Sequence, residues 1–178
     1  MIRVLGIWLK EDMKWTENTK QICMKAYARI SILCKLKYAG IRTEDLITIY
    51  VLFIRSLAEY CSVVFHSSLT EELTNKLESI QRTSLKVILA KNYVSYRAAL
   101  EMTGLQTLED RRESRQLSFA LKCLESEFNR DLFPRHPNPR RKEIFQVNFA
   151  KTEALRKGSV IQCQHALNKH FIKRKQFT

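Results

Sequence analysis

Residues that break helices and form tight turns are scarce in this chain, and its prolines are concentrated in one place. The 178 residues include only four glycines and three prolines, and all three prolines lie between Pro134 and Pro139. A β-rich domain needs turn residues at short, regular intervals. The sequence therefore predicts helices joined by short connections, with an extended, proline-containing segment from Phe133 to Lys142.

Apolar residues recur at helical spacing through most of the chain before that segment. The second helical stretch, which includes Leu46, Tyr50 and Phe53, is apolar nearly all round and favours a position at the centre of a bundle. Capping residues, capping boxes and glycines mark the ends of the helices. The helices are predicted to start near Thr16 or Asn18, at Thr43, at Ser68, near Ser95 and at Thr107, with Gly40 and Gly104 ending the first and fourth.

The two ends of the chain differ from the helical middle. Residues 1–10 are rich in β-branched and aromatic side chains and predict one short strand. A lone strand is not stable, which suggests a fragment of a larger protein. The predicted fold class is all-α: a bundle of four to five helices, preceded by one short N-terminal strand and followed by a basic, largely irregular tail. The predicted divisions are 1–12 for strand and turn, 13–129 for the bundle and 130–178 for the tail.

The charge of the chain calls for an anionic partner. The formal net charge is +13, and residues 129–178 hold 12 Lys/Arg against 3 Asp/Glu, which leaves only +4 for the rest. A basic tail on a milder body indicates nucleic acid or an anionic membrane surface, although a solubilising tail has the same composition.

Candidate phosphate ligands occur in groups at helical or local spacing; a single group of this kind is more often a solvated helix face, and together they predict a backbone-binding surface. Tyr93, Tyr96, Phe145 and Phe149 could stack on bases, although core packing explains aromatic residues as well. The candidate nucleic-acid-binding residues are Lys25, Arg29, Arg82, Lys86, Arg111, Arg112, Arg115, Arg135, Arg140, Arg141 and Lys142.

Arg55 and Glu59 lie four residues apart in the most apolar stretch, Ile47 to Phe65. Such a spacing predicts a structural ion pair within the fold, and the functional alternative is that Arg55 contacts a phosphate. Because these two charges interrupt the apolar run, the stretch is interpreted as a core helix and not as a membrane span.

Signals for catalysis and for metal binding are weak. The chain has no glycine-rich phosphate loop, nucleophile elbow or zinc-binding helix motif. Cys163, His165 and His170 lack the fourth ligand that a structural zinc site prefers. Five cysteines at wide spacings and the absence of an apolar leader indicate a reducing compartment, the cytoplasm or the nucleus. We therefore expect no catalytic residues, no metal site and no cofactor in this chain.

Five segments in order carry a family resemblance. They are Val4–Leu9 with Met13–Trp15, Lys25–Arg29 with Leu33–Leu36, Ile49–Cys61 (Y-x-x-x-x-R-x-x-x-E-Y), Leu77–Arg82 (L-E-x-x-Q-R) and Leu105–Arg112 (L-x-T-L-x-x-R-R). Together they resemble the C-terminal, thumb-side region of reverse transcriptases from non-LTR, LINE-like retrotransposons. Val147–Glu153 and Asn168 are similar to terminal sequences of some of these elements.

The resemblance implies a helical thumb fragment that grips RNA, DNA or an RNA–DNA hybrid through phosphates. The fingers, the palm and its catalytic aspartates are not among the matched segments, so polymerase activity and the magnesium that serves the intact enzyme are not carried over. An alternative hypothesis is a non-catalytic helical module that binds the missing palm, another protein or itself through apolar surface.

Overall fold

The computed structural model describes residues 1–12, 14–138 and 140–175. Met13, Pro139 and residues 176–178, which fall at the start of the predicted bundle and within the predicted tail, lie outside the described residues. The elements in chain order are β1 (Ile2–Val4), β2 (Ile7–Leu9), α1 (Thr16–Tyr38), α2 (Thr43–Ile49), a π-helical segment (Tyr50–Arg55), α3 (Ser56–Glu59), α4 (Ser62–Phe65), a 3-10 turn (His66–Ser68), α5 (Glu71–Leu89), a 3-10 turn (Ala90–Asn92), α6 (Tyr96–Thr103), α7 (Leu108–Glu125), a 3-10 turn (Arg130–Leu132), α8 (Glu153–Arg156) and α9 (Ser159–Lys175).

Helix accounts for 68% of the structure, which confirms the predicted all-α class with β structure at its N-terminus. The chain divides into two compact units. Unit 1 comprises Met1–Cys61 and Leu69–Arg111, and unit 2 comprises Ser62–Ser68 and Arg112–Thr178. The division differs from the predicted boundary at residue 129, because most of α7 belongs with the C-terminal residues.

The predicted single strand is a two-stranded antiparallel hairpin. Leu5 and Gly6 form its turn with positive φ angles of 47° and 88°, the conformation of a tight hairpin turn that glycine adopts without steric cost. Two hydrogen bonds attach the hairpin to the rest of unit 1. The Tyr60 hydroxyl donates to the Leu5 carbonyl at 2.8 Å, and Trp8 N donates to Asn18 Oδ1 at 3.2 Å. The strand therefore finds its partner within the chain.

The core of unit 1 forms where α1 packs against α5. Ala26, Ile30 and Leu33 on α1 are buried at helical spacing, as are Leu77 and Ile80 on α5. Local signals placed several helix ends correctly. Ser95, near which the fourth helix was predicted to start, accepts a hydrogen bond from Ala98 N, and the predicted cap Thr107 accepts one from Asp110 N. Gly40 and Gly104 follow α1 and α6 in left-handed conformations. The cap of α5 is Thr70 rather than the predicted Ser68.

The second predicted helix begins at Thr43 but is interrupted by the π-helical segment. Only one stripe of it is buried, and Leu52 and Phe53 are 62% and 60% exposed. The prediction that this helix lies at the centre of a bundle is therefore wrong. The buried stripe consists of Leu46, Tyr50, Ile54 and Ala58.

One stretch of the described residues, Thr43–Ser68, is long and apolar enough to cross a membrane by length and composition alone. A core helix of a soluble protein passes the same test, so this observation is weak evidence for a membrane span.

Unit 2 has a hydrophobic core built by α7, α9 and the extended chain between them. Its buried members are Ala120, Cys123, Phe133, Phe145, Cys163 and Leu167. Much of the region predicted to be irregular is thus folded, with a helix of 17 residues at its end. The apolar residues of α9 recur at helical spacing, at Val160, Leu167 and Phe171. The charged and polar residues between them weaken this apolar pattern in the sequence.

Two amides on α9 hold the extended chain of unit 2. Asn168 Oδ1 accepts hydrogen bonds from Ile144 N at 3.0 Å and Phe145 N at 2.8 Å, and Asn168 Nδ2 donates to the Phe145 carbonyl at 2.8 Å. One turn earlier on the helix, Gln164 Oε1 accepts from Asn148 N at 2.9 Å. Because backbone groups in a segment without regular structure need partners when buried, these amides let the extended chain cover the core.

Candidate nucleic-acid interface

The predicted ion pair between Arg55 and Glu59 is part of a larger cluster in unit 1. Arg55 Nε lies 3.6 Å from Glu59 Oε1. Arg111, which was predicted to contact phosphate, donates from Nε to Oε1 and from Nη2 to Oε2 of the same carboxylate, the latter at 3.3 Å. The Glu59 side chain is only 4% exposed. A buried carboxylate requires such partners, so Arg111 has a structural role here, and its hydrogen bond to Glu59 raises the pKa of its guanidinium.

Arg112 does not belong to an exposed interface. Its side chain lies in unit 2 and is completely buried, so the prediction that it contacts phosphates is wrong. Adjacent helix positions point about 100° apart, which is why Arg111 and Arg112 do not share a face. Arg115 on α7 is exposed.

The positive charge of Arg112 acts on the imidazole of His66. Burial lowers the pKa of His66, the positive charge of Arg112 lowers it further, and Glu113 opposes both. A buried arginine next to a histidine thus favours the neutral imidazole.

The two basic residues predicted as a pair on α1, Lys25 and Arg29, differ in their contacts. Arg29 is half-buried and donates a hydrogen bond from Nη1 to the Phe53 carbonyl. Lys25, one turn earlier, is exposed. Only Lys25 of this pair therefore presents its whole charged group to solvent.

Arg82 and Lys86 on α5, called here the α5 basic pair, are exposed and lie over aromatic rings. The Arg82 Cζ atom is 5.2 Å from the centre of the Tyr96 ring, and Lys86 Nζ is 5.6 Å from the centre of the Tyr93 ring. Neither forms an ion pair within the part of the chain that the structure describes. Cation–π contacts hold the two side chains without neutralising them.

The Tyr96 ring is itself fixed by a buried hydrogen-bond network. Its hydroxyl donates to Glu78 Oε1 and accepts from Gln81 Nε2 at 2.9 Å. Glu78 Oε1 also accepts from Leu108 N at 3.1 Å, and Gln81 Oε1 accepts from the Tyr50 hydroxyl at 2.6 Å. Burial, together with the hydrogen bond to Glu78, raises the pKa of Tyr96. No local sequence pattern indicates this network, because its hydrogen-bonded partners lie up to 31 residues apart.

In unit 2, a second group of cations lies on a loop whose two ends are hydrogen-bonded to each other. His136 N donates to the Ile144 carbonyl and Gln146 N to the Pro134 carbonyl, both at 2.8 Å, so the two arms of the loop pair at its base. Between the arms lie Arg140, Arg141 and Lys142, called here the basic loop, and all three are exposed. Arg135, at the base, is exposed as well.

The four aromatic residues considered for base stacking differ in exposure. Phe145 is buried in the core of unit 2. Tyr93 and Tyr96 are half-buried and each has a cation over its ring. Phe149 is 88% exposed. Only Phe149 of these four offers an open ring.

Within the described residues, no group of three His, Cys, Asp or Glu side chains is placed to hold a metal ion. Cys163 is buried and its thiol contacts the Gln116 carbonyl, whereas His165, two residues later, is exposed.

Comparison of the chain with protein-family models, with curated proteins and with solved structures found no match.

Proposed function

We propose that the chain binds nucleic acid through backbone phosphates, in the manner of a reverse-transcriptase thumb that grips a template–product duplex. The observation that carries the proposal is the α5 basic pair, whose two exposed cations are held over tyrosine rings and form no ion pair in the described chain. The net charge of +13 adds a long-range attraction for polyanions. Contacts of this kind recognise the backbone and not the base sequence.

The proposed role is non-catalytic. Three of the four adjacent acid pairs, Glu44–Asp45, Glu71–Glu72 and Glu109–Asp110, lie in first turns of helices, where the helix dipole accounts for them. The fourth, Glu11–Asp12, lies in a turn after β2. Asp45 pairs with Arg42 at 2.9 Å, and Glu72 pairs with Lys76 at 2.6 Å. All five cysteines are free thiols, which supports a reducing compartment, the cytoplasm or the nucleus.

The test is titration of the whole chain into a labelled RNA–DNA hybrid duplex at several salt concentrations. Phosphate-dominated binding requires that affinity fall steeply with salt, with Kd on the order of 10⁻⁶ to 10⁻⁴ M at physiological salt. The double variant Arg82→Gln, Lys86→Gln should weaken binding and reduce the salt slope by about 2.

A matched control removes the same charge from unit 1. Arg42 and Arg97 are exposed but paired with Asp45 and Glu101. The variant Arg42→Gln, Arg97→Gln should leave the affinity nearly unchanged. Affinity that is independent of salt, or equal losses in the two double variants, would contradict the proposal.

A second candidate function is a protein-interaction or self-association module. The exposure of Leu52 and Phe53 on the π-helical segment favours it, because neighbouring large apolar side chains in water mark interaction sites. If this function holds, the chain should run as an oligomer or bind a hydrophobic dye, and Leu52→Ser, Phe53→Ser should abolish both properties. A monodisperse monomer that binds no dye would exclude it.

A further inference from the structure

Phe149 is an apolar ring exposed in a basic part of unit 2. Its side chain is 88% exposed, although transfer of such a ring to water is unfavourable. Lys151 lies two residues further on and is also exposed. Proteins that bind single-stranded nucleic acids combine exposed aromatic rings, on which the bases stack, with cations that contact the phosphates.

The backbone next to Phe149 is fixed. Asn148 N donates to Gln164 Oε1, and Gln164 Nε2 in turn donates to the Leu132 carbonyl at 2.8 Å. Gln164 is completely buried, so the two hydrogen bonds anchor the chain to α9. A ring on an anchored segment loses less conformational entropy when a base stacks on it than a ring on a free segment does.

The basic loop lies within reach of the same strand of nucleic acid. Phe149 lies seven positions after Lys142, so their Cα atoms are at most about 25 Å apart. Between Arg140 and Lys157 there are six Lys/Arg residues and two Asp/Glu residues. A short single strand could therefore contact the loop with its phosphates and Phe149 with a base.

A second exposed phenylalanine in unit 2 shows why charge matters. Phe128 is 91% exposed, but residues 124–132 around it hold three acids, Glu125, Glu127 and Asp131, against one cation, Arg130. An approaching phosphate is repelled by that acidic surrounding. Exposure is thus similar at the two sites, whereas the residues around Phe128 are net negative and the segment Arg140–Lys157, which contains Phe149, is net positive. Phe128 is therefore a suitable control.

We propose that unit 2 binds an unpaired stretch of nucleic acid, with one base stacked on Phe149 and the neighbouring phosphates held by the basic loop and Lys151. This inference rests on the proposed nucleic-acid binding and adds a preference for a single strand at this site. Bases inside a duplex are stacked on one another and do not offer their faces to a side chain, so Phe149 should not contribute to duplex binding.

The experiment compares the whole chain and its variants on an oligothymidylate of about 15 nucleotides and on an RNA–DNA hybrid of equal length. Phe149→Ala should weaken binding to the oligothymidylate about tenfold and leave hybrid binding unchanged. Phe149→Leu, which keeps an apolar side chain but has no ring, should behave like Phe149→Ala. Phe149→Trp should retain the affinity, and its indole fluorescence should change when the oligothymidylate is added.

The control Phe128→Ala should bind both probes like the unmodified chain. Equal losses on both probes in Phe149→Ala, or no loss on either, would overturn the inference while salt-sensitive hybrid binding still supported the proposed function. If the chain binds neither probe at low salt, both proposals fail.

Discussion

Tyr50 and Gln81 meet in the core of unit 1, where the tyrosine hydroxyl donates a hydrogen bond of 2.6 Å to the glutamine side-chain carbonyl. Both side chains are completely buried. Gln81 Nε2 donates to the Tyr96 hydroxyl and to the Gln106 carbonyl, each at 2.9 Å. One glutamine thus joins α5 to the π-helical segment, to α6 and to the connection that precedes α7.

Replacement of Gln81 should destabilise unit 1. Gln81→Leu would leave the Tyr50 hydroxyl and the Gln106 carbonyl without their partner, at about 1–3 kcal/mol for each buried group. Tyr50→Phe keeps the ring and leaves only one acceptor unsatisfied, so its cost should be the smaller of the two. Urea denaturation of both variants measures the difference, and an unchanged midpoint for Gln81→Leu would contradict the buried network.

The network also shows where sequence reasoning ends. Caps at Ser95 and Thr107 were predictable because the side chain and the backbone amide it binds lie three residues apart. Gln81 and Tyr50 are 31 residues apart, and nothing near either residue marks the pairing. Glu78 and Gln81 were identified within a family-like motif, but their burial and contacts depend on the tertiary fold.

The candidate site was predictable to a similar degree. Basic residues were found because charge can be read directly from the sequence. Their exposure could not be, since Arg111 and Arg112 are neighbours in sequence but one binds a buried carboxylate and the other is fully enclosed. The anchoring of the extended chain to α9 was missed, although Gln164 and Asn168, four residues apart on α9, share one face and were a readable signal.

Removal of the Glu59 carboxylate should be strongly destabilising. Glu59→Ala would remove the carboxylate that lies 3.6 Å from Nε of Arg55, whose side chain is 12% exposed. Breaking a buried pair by removing one member typically costs about 3–5 kcal/mol. Arg111 would lose less, because its side chain is 26% exposed and water can solvate it. The free energy of unfolding from urea titration checks this value.

The control for Glu59 is an exposed pair in the same unit. Lys76 Nζ lies 2.6 Å from Glu72 Oε1, and both side chains are more than half exposed. Glu72→Ala should lower the free energy of unfolding by no more than about 1 kcal/mol, because exposed ion pairs contribute little and the dipole effect on an exposed first-turn acid is small. Similar losses in the two variants would show that the Glu59 cluster is not desolvated in solution.

Asn168 should govern the order of the chain that leads out of the basic loop. Asn168→Ala removes the acceptor for two amides and the donor for one carbonyl, which we expect to cost about 3 kcal/mol. Exchange of the Ile144 and Phe145 amides with solvent should accelerate, while the amides of α5 in unit 1 exchange as before. If the Ile144 and Phe145 amides exchange at unchanged rates, the Asn168 side chain does not hold this part of the chain. Asn168→Asp, which can still accept from the amides, should retain part of the protection.

The thiols should differ in reactivity according to burial. Burial raises the pKa of Cys163 to about 11, an effect that the nearby Gln116 side chain partly offsets. Since the thiolate is the reactive form, a thiol reagent at pH 8 should modify the exposed Cys34 rapidly and Cys163 only after unfolding. Mass spectrometry of the modified peptides measures both rates. Equal rates in the native protein would contradict the buried position of Cys163.

His66 should make the stability of unit 2 depend on pH. Burial and the charge of Arg112 lower its pKa in the folded state below the ordinary value of 6.5, so the unfolded state takes up the proton first. The contribution of His66 is therefore fully present above about pH 6.5 and is lost as the pH falls from there toward the folded-state pKa. We expect the unfolding midpoint of the unmodified chain to fall between pH 7.5 and pH 5.5 by more than that of His66→Gln. The exposed His165 supplies the control, because His165→Gln should keep the full pH dependence. Identical pH profiles for the unmodified chain and His66→Gln would show that the imidazole is as well solvated in the folded state as in the unfolded one.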